Sequence, residues 1–184
     1  IIFTSFSAFA LNDNDNEELK NILSIVKGKI DVDADFTEFN QAAINVCNEQ
    51  GIEKVDFLIA HPPYLDVVKF TQDKRDLSQI SDIDTFMSKF VDAMRNGLSF
   101  LAKDKYFALV AGDIYKRSEV VPLAFYMMDA VKKNFNVKMK GVIIKNIEGN
   151  KGKLGSQDIW KYRALKSDYF LFKHEYIFVF KKMD

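Results

Sequence analysis

Val55-Asp56-Phe57-Leu58-Ile59-Ala60-His61-Pro62-Pro63-Tyr64 decides how the rest of the chain is read, because an apolar run stops abruptly at a polar residue, two prolines and an aromatic ring. This is the pattern of a buried strand that delivers a rigid loop to a site. The sequence holds three prolines, and two of them stand side by side here. Each fixes φ and removes a backbone donor, so the carbonyls of the loop point where the fold directs them. Free acceptors beside a tyrosine ring suit a flat heterocycle that carries an amino group: the acceptors take its N–H bonds and the ring stacks on its face.

Outward from this stretch the chain alternates between strand and helix patterns. Upstream, Ile1–Leu11 reads as a strand. Asp15 or Asn16 caps a helix from Glu17 to about Val26, and a second helix is expected from Phe36 to Glu49, stopping at Gly51. Downstream, Ser81 or Asp82 caps a helix from Ile83 to about Leu101, with Phe86, Phe90, Met94 and Leu98 at helical spacing. Tyr106–Ala111 is a second apolar strand, ending at Gly112-Asp113. Val120–Asn134 reads as a helix with Pro122 in its first turn, where a missing N–H costs nothing. Lys138–Lys145 and Tyr176–Phe180 complete the set as strands. Such alternation predicts an α/β domain with a mostly parallel sheet and helices on both faces. Ligands in such sheets sit at the carboxyl ends of strands, which places His61 and Asp113 on one rim.

Composition bounds the class. The 184 residues, 48% of them hydrophobic, are enough for one globular domain with a sizeable core. The lone Cys47 cannot form an internal disulfide, and no Cys/His cluster has zinc spacing, so a reducing cytoplasmic setting without a metal is expected. No apolar run reaches the roughly 18 residues of a membrane span, and no charged leader precedes a cleavage-like site. The first residue is Ile1 rather than Met, which suggests a processed or truncated chain. Net charge is zero but unevenly spread. Residues 1–60 hold eleven Asp/Glu against four Lys, whereas 145–182 hold eight Lys and Arg163 against four Asp/Glu. Nucleic acid would be drawn to the second region and kept off the first, although solvated faces can differ in charge for no functional reason.

At His61-Pro62-Pro63-Tyr64 the chain resembles the amino-methyltransferases that act on adenine N6 or cytosine N4 of DNA, whose usual motif is Asp/Asn/Ser-Pro-Pro-Tyr/Phe/Trp after a strand. The likeness extends over about two-thirds of the chain, since residues 65–182 can be laid on the family's plan of strand, helix, strand, helix and a final antiparallel strand pair. It implies a Rossmann-like methyltransferase domain over 1–184, or the catalytic half of one. S-adenosylmethionine is the implied methyl donor and a flipped base of DNA the implied acceptor. His61 departs from the usual Asp, Asn or Ser, and this bears on which base is the target more than on the chemistry. A neutral imidazole nitrogen also accepts a hydrogen bond from an amine.

The resemblance assigns roles to named residues. The His61 side chain and Pro62 carbonyl accept the two N–H bonds of the exocyclic amine, Pro63 stiffens the turn, and Tyr64 stacks on the base. Transfer is then a direct displacement that depends largely on positioning. If only the π face of Tyr64 matters, Phe or Trp should replace it with appreciable activity retained. Pro-Pro could equally serve only to end a buried strand, with Tyr64 packed. Ala60 and His61 face the cofactor side in this reading, and Asp33, within Asp31-Val32-Asp33-Ala34-Asp35, either binds a ribose or belongs to an acidic surface turn. Asp113 either touches substrate or caps a turn. Lys116 and Arg117 either meet phosphate or are merely solvated. Lys151, Lys153, Lys161 and Arg163, with Lys166, interleave with Trp160, Tyr162 and Tyr169 as expected of a loop meeting backbone and bases. His174-Glu175-Tyr176 resembles the family's closing motif, though a histidine at a strand start more often has a structural role.

One expected element is missing. The family holds its cofactor on a Phe-x-Gly-x-Gly loop after a first strand, and between Ile1 and Asn96 the only glycines are Gly28 and Gly51. Two function classes stay open: a catalytic DNA amino-methyltransferase, or a cofactor-deficient nucleic-acid-binding or assembly subunit that keeps the fold. The same chemistry on RNA or on a glutamine amide is a third. A homodimer or a partner subunit fits either of the first two.

Overall fold

The computed structural model describes residues 2–3, 49, 51, 53–70, 72, 74, 76–146, 166, 168, 170 and 173–184. In chain order these form β1 (Ile2–Phe3), β2 (Val55–Ala60), a 3-10 turn (Leu77–Gln79), α1 (Ile83–Phe100), β3 (Leu101–Ala111), β4 (Ile114–Lys116), β5 (Glu119–Val121), α2 (Leu123–Asn134), β6 (Val137–Asn146) and β7 (His174–Lys182). The main sheet has the order β1-β2-β3-β7-β6, with β1, β2 and β3 parallel. β7 runs antiparallel to both of its neighbours. The fold is therefore α/β with a mixed, Rossmann-like sheet. The antiparallel strand comes last in sequence, yet it inserts between β3 and β6 instead of closing an edge.

The apolar spacing acts as the sequence implies. Asp82 caps α1 by accepting the Thr85 N–H at 2.8 Å, and Phe86, Phe90, Met94 and Leu98 are all buried. They meet Leu58, Phe107, Leu109, Phe178 and Phe180 of the sheet, where Phe107 and Phe180 stack with centroids 5.0 Å apart. Leu123, Met127 and Val131 of α2 complete this core. The two helices pack against each other, so they share one face of the sheet. The helices expected over 17–26 and 36–49 fall outside the described residues, apart from the helical Glu49. Among the described residues, no helix is long and apolar enough to cross a membrane.

Two boundaries differ from expectation. β3 begins at Leu101, directly after α1, instead of at Tyr106. Leu101 pairs with Val55 and Tyr106 with Phe57, so the exposed run Lys103-Asp104-Lys105 bulges outward, with Asp104 at φ 63°. A bulge of polar residues conceals a strand start that only one buried leucine marks. Helix α2 begins at Leu123, not Val120, because Val120 and Val121 pair with Tyr115 and Ile114 in a short hairpin. Pro122 stands at the N-cap, one position before the first turn. The hairpin turns on Arg117 and Ser118, at φ 54° and 63°. Such turns ordinarily use Asn and Gly, and their absence hid it.

Candidate active site

β2 ends at the buried Ala60, and His61 continues the alternation of Phe57 and Ile59 beyond the strand. Pro62 and Pro63 are buried. The Tyr64 carbonyl accepts the Val67 N–H at 3.3 Å, closing a turn around Leu65. Leu65 has φ 57° and a fully buried side chain. A left-handed leucine costs on the order of 1–3 kcal/mol, and insertion into the core offsets this while anchoring the loop. Just beyond, Lys116 Nζ binds Asp66 at 2.7 Å and the Ser81 carbonyl at 2.9 Å, tying the loop to the entry of α1. Ser78, fully buried, accepts the Phe70 N–H at 3.0 Å and donates to Asp76 at 2.6 Å.

The loop presents its polar groups to the start of β7. Tyr64 Oη donates to Glu175 Oε1 at 2.8 Å, and His61 Nε2 lies 3.0 Å from the same hydroxyl. Glu175 Oε2 accepts from Lys145 Nζ at 3.0 Å. These two residues are register partners on β6 and β7. The His61 and Glu175 side chains are only 11% and 12% exposed, with Nε2 and Oε1 3.8 Å apart. Gly112, at the end of β3, lies against the Tyr64 ring: a Cβ there would sit 2.9 Å from Cε2. Tyr64 is thus held at its hydroxyl end by two side chains and at its edge by backbone.

Electrostatics fix the charge states. Burial lowers the His61 pKa and outweighs the attraction of Glu175, with Lys145 adding to the decrease. Burial pushes the Glu175 carboxyl up, but hydrogen bonds from Lys145 and Tyr64 and the charges of Lys145 and His61 hold it below the usual carboxylate range. Burial, the Glu175 charge and the hydrogen bond to it push the Tyr64 hydroxyl far up. At neutral pH the set is a neutral imidazole, a neutral phenol and a carboxylate bound to an ammonium.

These directions carry an acid signature. The unfolded chain takes up a proton on His61 below its ordinary value of 6.5, whereas the folded protein resists doing so. Stability therefore falls as the pH drops from 6.5 toward the lower folded pKa, by at most about 1.4 kcal/mol per pH unit from this group. Urea unfolding of wild type and His61→Asn between pH 7 and 5 should show a shallower decline in the variant. Equal slopes would mean that the imidazole is not held neutral.

Two other expected site residues, Asp113 and Lys116, make contacts within the framework. Asp113 Oδ1 accepts the Ala124 N–H at 3.2 Å, capping α2, whose N-cap Pro122 has no side chain able to do so. Burial raises the Asp113 pKa, partly offset by that amide and by His174. Lys116 is bound to Asp66 and Ser81, while Arg117 is exposed on the hairpin turn. Asp33, Lys151, Lys153, Lys161 and Arg163 lie outside the described residues, and Lys166 is exposed. Sequence reasoning gave Glu175 only as part of a closing motif and Lys145 only as a strand end and the start of the basic region. What joins them to His61 and Tyr64 is the β6–β7 register, which no local pattern announces.

No protein-family model and no curated protein matches this chain. Several solved structures are similar to it. A candidate DNA modification methylase of Thermus thermophilus matches 72% of this chain and 46% of its own length, at 18% identity and TM-score 0.48. The same protein complexed with S-adenosyl-L-methionine matches 72% and 49%, at 17% identity and TM-score 0.47. M1.HpyAVI in its SAM complex matches 82% of this chain and 52% of its own length, at 12% identity and TM-score 0.43. The chain spans about half the length of the solved structures it matches.

Proposed function

We propose that this chain carries the catalytic loop of an S-adenosylmethionine-dependent methyltransferase acting on an exocyclic amine, adenine N6 or cytosine N4, of a base flipped out of DNA. The observation that supports this best is a rigid Pro-Pro-Tyr loop at the carboxyl end of an inner sheet strand, with a neutral imidazole at its head. His61 and the Pro62 carbonyl accept the amine's N–H bonds and orient its lone pair, while Tyr64 offers its ring to the base. The bound donor would supply a sulfonium methyl.

The described residues do not themselves form a cradle for that donor. Their glycines are Gly51, Gly97, Gly112 and Gly141, and Gly112 is filled by Tyr64. Ala60 and His61 at the strand end and Asp33 outside the described residues are the proposed donor-side groups. This mismatch also favours a second reading, in which the chain is a cofactor-deficient subunit that binds nucleic acid. Calorimetric titration with S-adenosylmethionine, followed by tritium transfer from labelled donor to mixed-sequence DNA, tests both. Binding and transfer support the enzyme. DNA binding without donor binding supports the second reading. Transfer only to RNA or to a glutamine peptide would move the substrate and keep the chemistry.

DNA is proposed to meet the basic segment 145–173. Replacing Lys151, Lys153, Lys161 and Lys166 together by Gln should weaken binding to all sequences alike. It should also flatten the salt dependence, by about one unit of slope for each phosphate that is no longer neutralised. Affinities at several salt concentrations test this, and an unchanged slope would remove this segment from the proposed DNA contacts.

A further inference from the structure

We infer that Glu175 is a positioning residue that acts through the Tyr64 hydroxyl to hold His61 in one tautomer, with the proton on Nε2 and the lone pair on Nδ1. The argument is a count of hydrogens. A phenol has a single proton. Tyr64 spends it on Glu175 Oε1 at 2.8 Å, because an ionised carboxylate that also binds Lys145 Nζ can only accept. The Tyr64 oxygen is therefore the acceptor in its 3.0 Å contact with His61, and Nε2 must donate. Nδ1 is left as the only nitrogen of the neutral ring able to accept a hydrogen bond.

Lys145 sets the polarity of this chain of contacts. Its ammonium carries only donors, so it requires an oxygen at the Oε2 position of Glu175. Direction then passes from Lys145 to Glu175, and from His61 through Tyr64 to the same carboxylate. For the proposed function, on which its catalytic meaning rests, this leaves Nδ1, which is buried, as the only ring nitrogen with a lone pair to offer an amine N–H. It also meets a requirement that a histidine adds at a place where the loops it resembles use Asp, Asn or Ser. A carboxylate presents an acceptor oxygen in either orientation and an amide can turn its oxygen to the substrate, whereas an imidazole nitrogen accepts only in the correct tautomer.

Glu175→Gln separates this from a purely structural role. Lys145 would keep the amide oxygen and turn the amide NH2 toward Tyr64. The phenol would then accept from Gln and donate to His61 Nε2, moving the ring proton to Nδ1. Tyr64→Phe removes the link and should leave a mixture of tautomers. The sequence has two histidines, so long-range proton–nitrogen NMR of the whole chain resolves His61 directly, with His174→Gln assigning the other ring.

The expected results are Nε2–H in wild type, Nδ1–H in Glu175→Gln and a mixture in Tyr64→Phe. Glu175→Gln should also move the NMR titration of His61 to lower pH, since the carboxylate facing it is lost while the Lys145 ammonium remains. Wild type with the proton on Nδ1, or a tautomer unchanged in Tyr64→Phe, would overturn the assignment even if Glu175→Gln failed to fold. The measurement needs neither donor nor DNA. A protein with the expected tautomers and no methyl transfer would overturn the proposed function and leave this inference standing.

Discussion

On the proposed function, Tyr64→Ala is expected to lower kcat/KM for methyl transfer by about a hundredfold to ten-thousandfold. Two losses combine. Removing the ring forfeits base stacking, roughly 1–3 kcal/mol. Removing the hydroxyl forfeits a hydrogen bond to an ionised carboxylate, roughly 1.5–3 kcal/mol, with each 1.4 kcal/mol worth about tenfold. Tyr64→Phe keeps the ring but not the hydroxyl, and should lose about tenfold to a hundredfold from the second contribution alone. The sequence alone implies that Phe keeps appreciable activity. The 2.8 Å bond to Glu175 and the 3.0 Å contact with His61 argue otherwise. Single-turnover rates of the three proteins, with circular dichroism to show that each is folded, test this. A Phe variant at the wild-type rate would make the hydroxyl irrelevant. Equal rates for Phe and Ala would remove stacking as the role of the ring.

Local patterns proved enough for elements whose burial is periodic. Val55–Ala60 is observed at the bounds read from its apolar run, and α1 starts at the residue that its Asp82 cap indicates. Elements defined by long-range pairing were less legible. Leu101 joins β3 only because it meets Val55, and the β4–β5 hairpin turns on Arg117 and Ser118, neither of them the Asn or Gly that marks a tight hairpin. The insertion of β7 between β3 and β6 is likewise a matter of partners. Its Phe178 and Phe180 are buried from one face, as a strand at the exposed edge would not achieve so fully.

The site divides in the same way. The loop that carries it could be read because Pro-Pro constrains the chain whatever surrounds it. Glu175 could not be placed from sequence, since its contact with Tyr64 spans 111 positions and its contact with Lys145 spans 30. Asp113 and Lys116 were legible as polar residues near the rim but not in their task. Asp113 satisfies an orphan amide of α2 that Pro122 cannot serve, and Lys116 fastens the loop that follows Tyr64. Both support the site without being shown to touch substrate.

Gly112→Ala should destabilise the fold by about 1–3 kcal/mol and displace the Tyr64 ring. Gly112 is not in a left-handed conformation; what singles it out is space, since an added Cβ would lie 2.9 Å from Tyr64 Cε2 and 3.3 Å from Cζ. A flexible side chain would swing away at little cost. This ring cannot, because its hydroxyl is bonded to Glu175 and in contact with His61. The lower entropy of an unfolded chain with alanine offsets only about 0.4–1 kcal/mol. A double-mutant cycle identifies the cause. In Gly112→Ala with Tyr64→Ala the clash has no partner, so the pair should cost less than the sum of the singles by at least about 0.5 kcal/mol. Urea unfolding of the four proteins measures this coupling. Simple additivity would show that Gly112 is not the wall against which Tyr64 is set.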